Sequence, residues 1–160
     1  MARSVRIKVD ADSAIRRMRK MAERSLDFKI VFQWAKRELQ RANSLNFKSG
    51  GLPVGEWDAL SPQYAAWKSV NFPGKPIMQR TGRLMDSLVR LDGPVNRIGR
   101  LTAQFGTEVE YAKFHQYGTT KMPKRQIVYE PPLFARNLAT HVGRYVVEGE
   151  LAKELKAFHP

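Results

Sequence analysis

Residues 10–44 read DADSAIRRMRKMAERSLDFKIVFQWAKRELQRANS, and the reading of this stretch decides the fold. Asp10, Asp12 and Ser13 offer helix N-caps, because their short side chains can accept from backbone N–H groups that no helical carbonyl reaches. Ile15, Met18 and Ala22 follow at helical spacing, with Arg16, Arg17, Arg19 and Lys20 on the other side. The phase slips at Ser25-Leu26-Asp27 and resumes with Phe28, Val31, Phe32, Ala35, Leu39 and Ala42. No Pro or Gly interrupts residues 1–49. The stretch therefore predicts two helices, or one kinked helix, over about residues 12–44, with Ile15, Met18 and Ala22 facing the core.

Outward from it the signals change. Val5, Ile7 and Val9 alternate with Arg6 and Lys8, which predicts a short first strand. Between Ser49 and Pro76 lie Gly50, Gly51, Pro53, Gly55, Pro62, Pro73, Gly74 and Pro76, a loop-rich composition. The same stretch holds Trp57, Leu60, Tyr64, Trp67 and Phe72, too many large apolar groups for a flexible linker. Ser61-Pro62 predicts the start of a short helix to Ser69, with Tyr64 and Trp67 on one side. Thr81-Gly82-Arg83 opens another, containing Leu84, Met85 and Leu88. From Ser87 to Thr107 a hairpin is expected: Val89 and Leu91 alternate, Asp92-Gly93-Pro94 turns, and Leu101, Ala103 and Phe105 alternate, with a polar tip around Asn96 to Arg100. Val109 to Gln116 is a short amphipathic segment closed by Gly118, where a positive φ is expected. Gln126 to Tyr129 reads as a strand, and Phe134 to Val146 as a C-terminal helix. The fold class expected is α+β: a long N-terminal helix or helix pair on a small, mainly antiparallel sheet, with long loops and a C-terminal helix. Residues 1–160 make one domain, with 45–80 and 117–132 as extended interaction loops.

Charge narrows the partners. Twenty-eight Lys and Arg against 15 Asp and Glu give a net +13. The excess is +7 over residues 1–41, +4 over 42–100 and +2 over the last sixty. A basic first quarter suits nucleic acid, an acidic protein partner, or solubility alone. The basic face is Arg16, Arg17, Arg19, Lys20 and Arg24. No apolar run is long enough for a membrane helix, and no partner membrane is expected. The basic start lacks the apolar core of a secretory signal, so synthesis inside the cell is expected. Cysteine is absent, which excludes disulfides, thiol catalysis and cysteine-held zinc.

Catalytic patterns fail in turn. Gly74-Lys75 is followed by Pro76 and lacks the upstream glycine of a phosphate loop. No G-x-G-x-x-G, G-x-S-x-G or H-E-x-x-H occurs, and His115, His141 and His159 are too far apart for a local metal motif. Glu108 and Glu110 read as solvated charges beside a strand end rather than a carboxylate pair for catalysis. His115, without a nearby nucleophile, reads as a packed histidine held by backbone. Trp57 and Trp67 fit a small core pinning the loop, an interface anchor, or a base-stacking platform; core is the reading taken first. No catalytic, cofactor or metal residue is assigned.

Four blocks carry a resemblance. Phe47 precedes Pro53-Val54-Gly55-Glu56-Trp57 and Leu60-Ser61-Pro62-Gln63-Tyr64-Ala65-Ala66-Trp67-Lys68. Met78-Gln79-Arg80-Thr81-Gly82-Arg83-Leu84 runs on to Ser87. Tyr111-Ala112 leads to His115-Gln116-Tyr117-Gly118, and Pro123-Lys124-Arg125 follows. In order and spacing these resemble the phage virion morphogenesis, or tail-completion, family. Its members read P-x-G-x-x-W-x-x-L-S-P-x-Y-x-x-W-K, then L-x-x-T-G-x-L-x-x-S, Y-A-x-x-H-Q-x-G and P-x-R. This chain has one residue fewer between Gly55 and Trp57, and Gln126 follows Arg125 where the family often has an apolar pair and a Gly.

The resemblance implies a structural protein of a tailed phage or tail-like particle, without enzyme activity or cofactor. It implies a homo-oligomeric ring, a hexamer, at the head-proximal end of the tail in the virion. That ring would complete the tail or join it to the head, between connector or portal-side proteins and tail-tube or terminator proteins. Phe47, Pro53, Trp57 and Arg125 are the interaction residues expected from the matching blocks. A different class of function competes on charge alone: a nucleic-acid-binding protein using the Arg-rich helix 12–24, or contact of that helix with packaged DNA.

Overall fold

The computed structural model describes residues 11–149. The expected strand at Val5, Ile7 and Val9 lies outside them. Six helices and one small hairpin follow in order: α1 (Asp12–Arg24), α2 (Lys29–Lys48), α3 (Pro62–Asn71), α4 (Arg83–Arg90), β1 (Arg97–Ile98), β2 (Ala103–Gln104), α5 (Ala112–Tyr117) and α6 (Phe134–Glu148). A 3-10 turn at Leu52–Val54 follows α2. The α+β class holds, with helix dominating and the sheet reduced to two antiparallel strands.

α2 is the spine. Val31, Ala35, Ala42, Asn46 and Phe47 recur near the 3.6-residue period and are all buried. α4 lies against it with Leu84 and Leu88, one turn apart. Phe47, Trp57, Leu84, Leu88, Val109, Ala112 and Ile127 form the core. Phe47 meets Trp57 edge to face, with ring centroids 5.3 Å apart. Toward the N-terminal end of α2, Trp34 stacks on Phe134 at 6.1 Å and Phe28 meets the edge of Tyr145, joining α2 to α6.

Helix α1 departs from expectation. The break at Ser25 to Phe28 separates it from α2 as the phase slip predicts. Ile15 and Met18, however, are 41% and 60% exposed. Only Met21 and Arg24 of α1 are even half-buried, so the helix docks through its last turn alone. There Arg24 donates to the carbonyls of Val146 and Val147, at 3.0 and 3.2 Å. A guanidinium at the C-terminus of α6 satisfies carbonyls that have no helical donor and complements the helix dipole. Arg24 is thereby removed from the basic face to which its sequence position assigned it.

Two expected strands are corrected. Val89 belongs to α4, and Leu91 caps that helix in a left-handed conformation at φ +49°. The i, i+4 pair Leu84 and Leu88 finds a groove on α2, and that burial overrides the strand preference of Val89. The hairpin comes later and shorter, pairing Arg97 with Gln104 and Ile98 with Ala103. Asn96 extends it by side chain, donating to the Gly106 carbonyl at 3.2 Å and accepting from its N–H at 2.8 Å.

Gln126 to Tyr129 runs extended but has no strand beside it. Side-chain amides take the place of a ladder. Asn46 Nδ2 donates to the carbonyls of Gln126 and Ile127, and Trp57 Nε1 donates to that of Gln126 at 2.9 Å. Gln116 Oε1 accepts from the N–H groups of Ile127 and Val128, and Asn43 Oδ1 accepts from Tyr129 N–H, each at 3.0 Å. Buried backbone polar groups need partners, and here three Asn and Gln side chains and an indole supply them.

Candidate interaction groove

Arg125 ties the matching blocks together. Its side chain is buried, with Nε donating to the Asp58 carbonyl at 2.9 Å and Nη2 to that of Ala59 at 2.8 Å. Its backbone N–H donates to the His115 carbonyl at 2.8 Å. Gln79 Nε2 reaches the Phe47 carbonyl at 3.3 Å. All four blocks therefore converge on one hub of backbone carbonyls gripped by side chains.

Of the expected interaction residues, Phe47, Trp57 and Arg125 are buried inside the single chain, Phe47 and Trp57 in its core and Arg125 at the wall of the groove beside the hub. Pro53 is half-buried within the 3-10 turn. Gly51, at φ +87°, lies so close under the Trp57 ring that a side chain there would occupy the ring's place. The core role expected for Trp57 is met. For Trp67 and Tyr64 it is not: they are 44% and 40% exposed. α3 turns them outward, where Tyr64 stacks on Trp67 at 5.5 Å and Trp67 meets Phe72 at 5.6 Å. α3 buries one residue, Lys68, whose ammonium donates to the Pro76 carbonyl, so neither ring reaches the core although Tyr64, one turn before Lys68, shares its side of the helix.

Beside the hub a groove of about 560 Å³ opens between α3, the N-terminus of α4, one face of α5 and residues 121–125. Leu60, Met78, Leu84, Met122 and Pro123 supply its apolar surface. Five cationic residues line it, Lys68, Arg80, Arg83, Lys121 and Arg125, and no Asp or Glu does. Arg80, Arg83 and Lys121 are exposed. Sequence reasoning missed these three as a group, because Lys121 comes from a segment distant from Arg80 and Arg83 and only the fold unites them.

His115 sits on the groove wall, half-buried, with Tyr111 edge-on at 6.0 Å. Its Nδ1 is buried without a hydrogen-bond partner among the described residues. Burial, and then the Arg125 guanidinium, hold its pKa below the ordinary value. Burial likewise lowers that of Lys68. Among the described residues no group of three or more His, Asp or Glu could hold a metal ion. No helix among them is long and apolar enough to cross a membrane.

The remaining basic face, Arg16, Arg17, Arg19 and Lys20 of α1, is exposed. It belongs to a different part of the molecule from the groove.

Comparison with protein-family models gives one finding: the model described as "Phage virion morphogenesis family" matches residues 9–141. No curated protein and no solved structure gave a significant match. The family match begins before α1 and ends inside α6, so it covers the hub, the groove and the basic helix together. The chain belongs to the phage virion morphogenesis family, and its role lies in building the particle.

Proposed function

We propose that this chain forms a homo-oligomeric ring, a hexamer, at the head-proximal end of a phage tail, where it completes the tail or joins it to the head. The family match over residues 9–141 carries this reading. The distribution of surface chemistry supports it. A building block of a stacked assembly needs several contact surfaces, and three are available. They are the cationic groove, the aromatic ledge of Trp67 and Val70 on α3 that Tyr64 joins to it, and the basic face of α1. Patches of exposed aromatic and apolar groups of this kind mark interaction sites. In this reading the stretches 45–80 and 117–132 reach neighbouring subunits, and the neighbours along the axis are connector or portal-side proteins and tail-tube or terminator proteins. The chain is not an enzyme; its side chains position partners.

A second reading assigns α1 to nucleic acid. Arg16, Arg17, Arg19 and Lys20 favour it, since four exposed cations over two turns can neutralise phosphates and release counterions. Within a ring, the same face would meet packaged DNA or an acidic neighbour.

Size-exclusion chromatography with light scattering tests the ring. Six chains of 18.3 kDa give a closed particle of about 110 kDa. A chain that stays monomeric with and without tail-tube ends would overturn the assembly reading.

A further inference from the structure

Helix α5 divides two surfaces of opposite charge. Successive residues turn by about 100° around a helix, so Tyr111, Phe114 and His115 share one side and Ala112, Lys113, Gln116 and Tyr117 the other. The first side is a wall of the cationic groove. The second belongs to a shallower depression of about 430 Å³ that also takes in Glu108 and Glu110. Both carboxylates are exposed, and no ion pair among the described residues reaches them. Tyr117 stands beside them with 78% of its surface in solvent, the largest exposure of any aromatic residue described.

We propose that the groove receives the Glu108–Glu110 edge and Tyr117 of a second copy of this chain, in a head-to-tail contact repeated around the ring. The proposal rests on the ring reading above and names the surfaces that close it. The two surfaces cannot meet within one chain, because α5 stands between them. A heterologous contact requires two different patches that point apart, and a closed rotation turns such contacts into rings. Charge complementarity selects the pair. A groove with five cations and no carboxylate repels basic surface and attracts an acidic edge. In a chain carrying +13 overall, Glu108–Glu110 and Glu56–Asp58 are exposed carboxylate pairs that no ion pair among the described residues reaches. Glu108–Glu110, which shares its depression with Lys113, is the one with a largely exposed tyrosine beside it. The apolar part fits as well. Leu60, Met78, Leu84, Met122 and Pro123 give a tyrosine ring apolar surface to cover, and tyrosine with its rigid ring is favoured in interfaces. Single-stranded DNA would use the same cations, but would leave the acidic edge and Tyr117 without a role.

Charge exchange tests this on the full chain by sedimentation velocity. Arg80→Glu with Arg83→Glu and Lys121→Glu reverses the three exposed cations of the groove and leaves it with three carboxylates against two cations; Glu108→Lys with Glu110→Lys reverses the edge. All five side chains are exposed, so the circular dichroism spectrum should match that of the parent chain. Each reversed protein should self-associate about tenfold or more weakly, since like charges then face each other. An equimolar mixture of the two should associate again, because every groove then meets an edge of opposite sign in an alternating ring. Reversed proteins that assemble like the parent would overturn the proposal and leave the ring reading standing. So would a mixture that fails to recover, or a groove reversal that abolishes binding of a labelled oligothymidine while leaving assembly unchanged. A parent chain that is monomeric throughout would overturn the ring reading itself, and the contact with it.

Discussion

At the scale of single residues, backbone geometry and burial set the strongest demands. Gly118 has φ +73° and ψ 178°, a region that is essentially closed to side chains. A Cβ there would stand 2.9 Å from Lys124 N and 3.1 Å from its Cα. Both penalties fall on the bend that carries the chain from α5 to Arg125. Gly118→Ala should therefore destabilise the fold by about 1–3 kcal/mol in a denaturant titration; an unchanged midpoint would contradict the geometry. His115 makes a prediction about pH. Its folded pKa is lowered from 6.5, first by burial and then by Arg125. The unfolded chain therefore takes up the proton more readily. The contribution of His115 is present in full above pH 6.5 and is lost as pH falls from there through the lowered folded value. The parent chain should lose stability between those two points, and His115→Gln should flatten that part of the profile. Superimposable profiles would show that the imidazole is not held neutral by its surroundings.

At the scale of elements, α3 separates what is legible in a sequence from what is not. Its start was readable, because Ser61-Pro62 is a local signal that needs no tertiary context, while its end, expected at Ser69, comes at Asn71. The direction of its faces was not. Tyr64 and Trp67 lie on one side by spacing, but spacing does not say whether that side meets the core. In the structure α3 buries Lys68, tied to a carbonyl eight residues away, and leaves both rings partly exposed. The same limit governed the segment 126–129. Its extended backbone followed from local residue preferences, while its partners are the side chains of Asn43, Asn46 and Gln116 on two helices. Val89 failed for the complementary reason, a β-branched residue carried into a helix by the burial of Leu84 and Leu88. Of the site, the four blocks were visible as a pattern, yet in the structure Phe47 and Trp57 lie in the core, while Arg125 both clamps the wall of the groove and lines it. The tryptophans provide the check. Trp57→Ala removes a buried ring and should cost about 3–5 kcal/mol. Trp67→Ala should cost less than about 1 kcal/mol in the monomer. Denaturant midpoints would decide, and equal losses would place Trp67 in the core after all.

At the scale of the whole molecule, the fold is a compact body around α2 with a charged helix fastened to it at one end. α1 is held by Arg24 and leaves Arg16, Arg17 and Arg19 in solvent. Replacing those three with Glu should leave the far-ultraviolet spectrum and melting temperature of the chain close to those of the parent, since none is buried. The consequence should appear in assembly. If α1 docks on an acidic protein, particles stall before heads join tails; if it meets DNA, particles form but lose genome. Normal yield and infectivity would remove both roles from the helix. The central claim, that this chain acts where head and tail meet, is tested most directly by electron microscopy of lysates from a phage whose copy has been deleted. The account predicts filled heads and separate tails that never join, with joining restored when the chain is supplied in trans. Intact, infectious particles at the parental titre without the chain would contradict it.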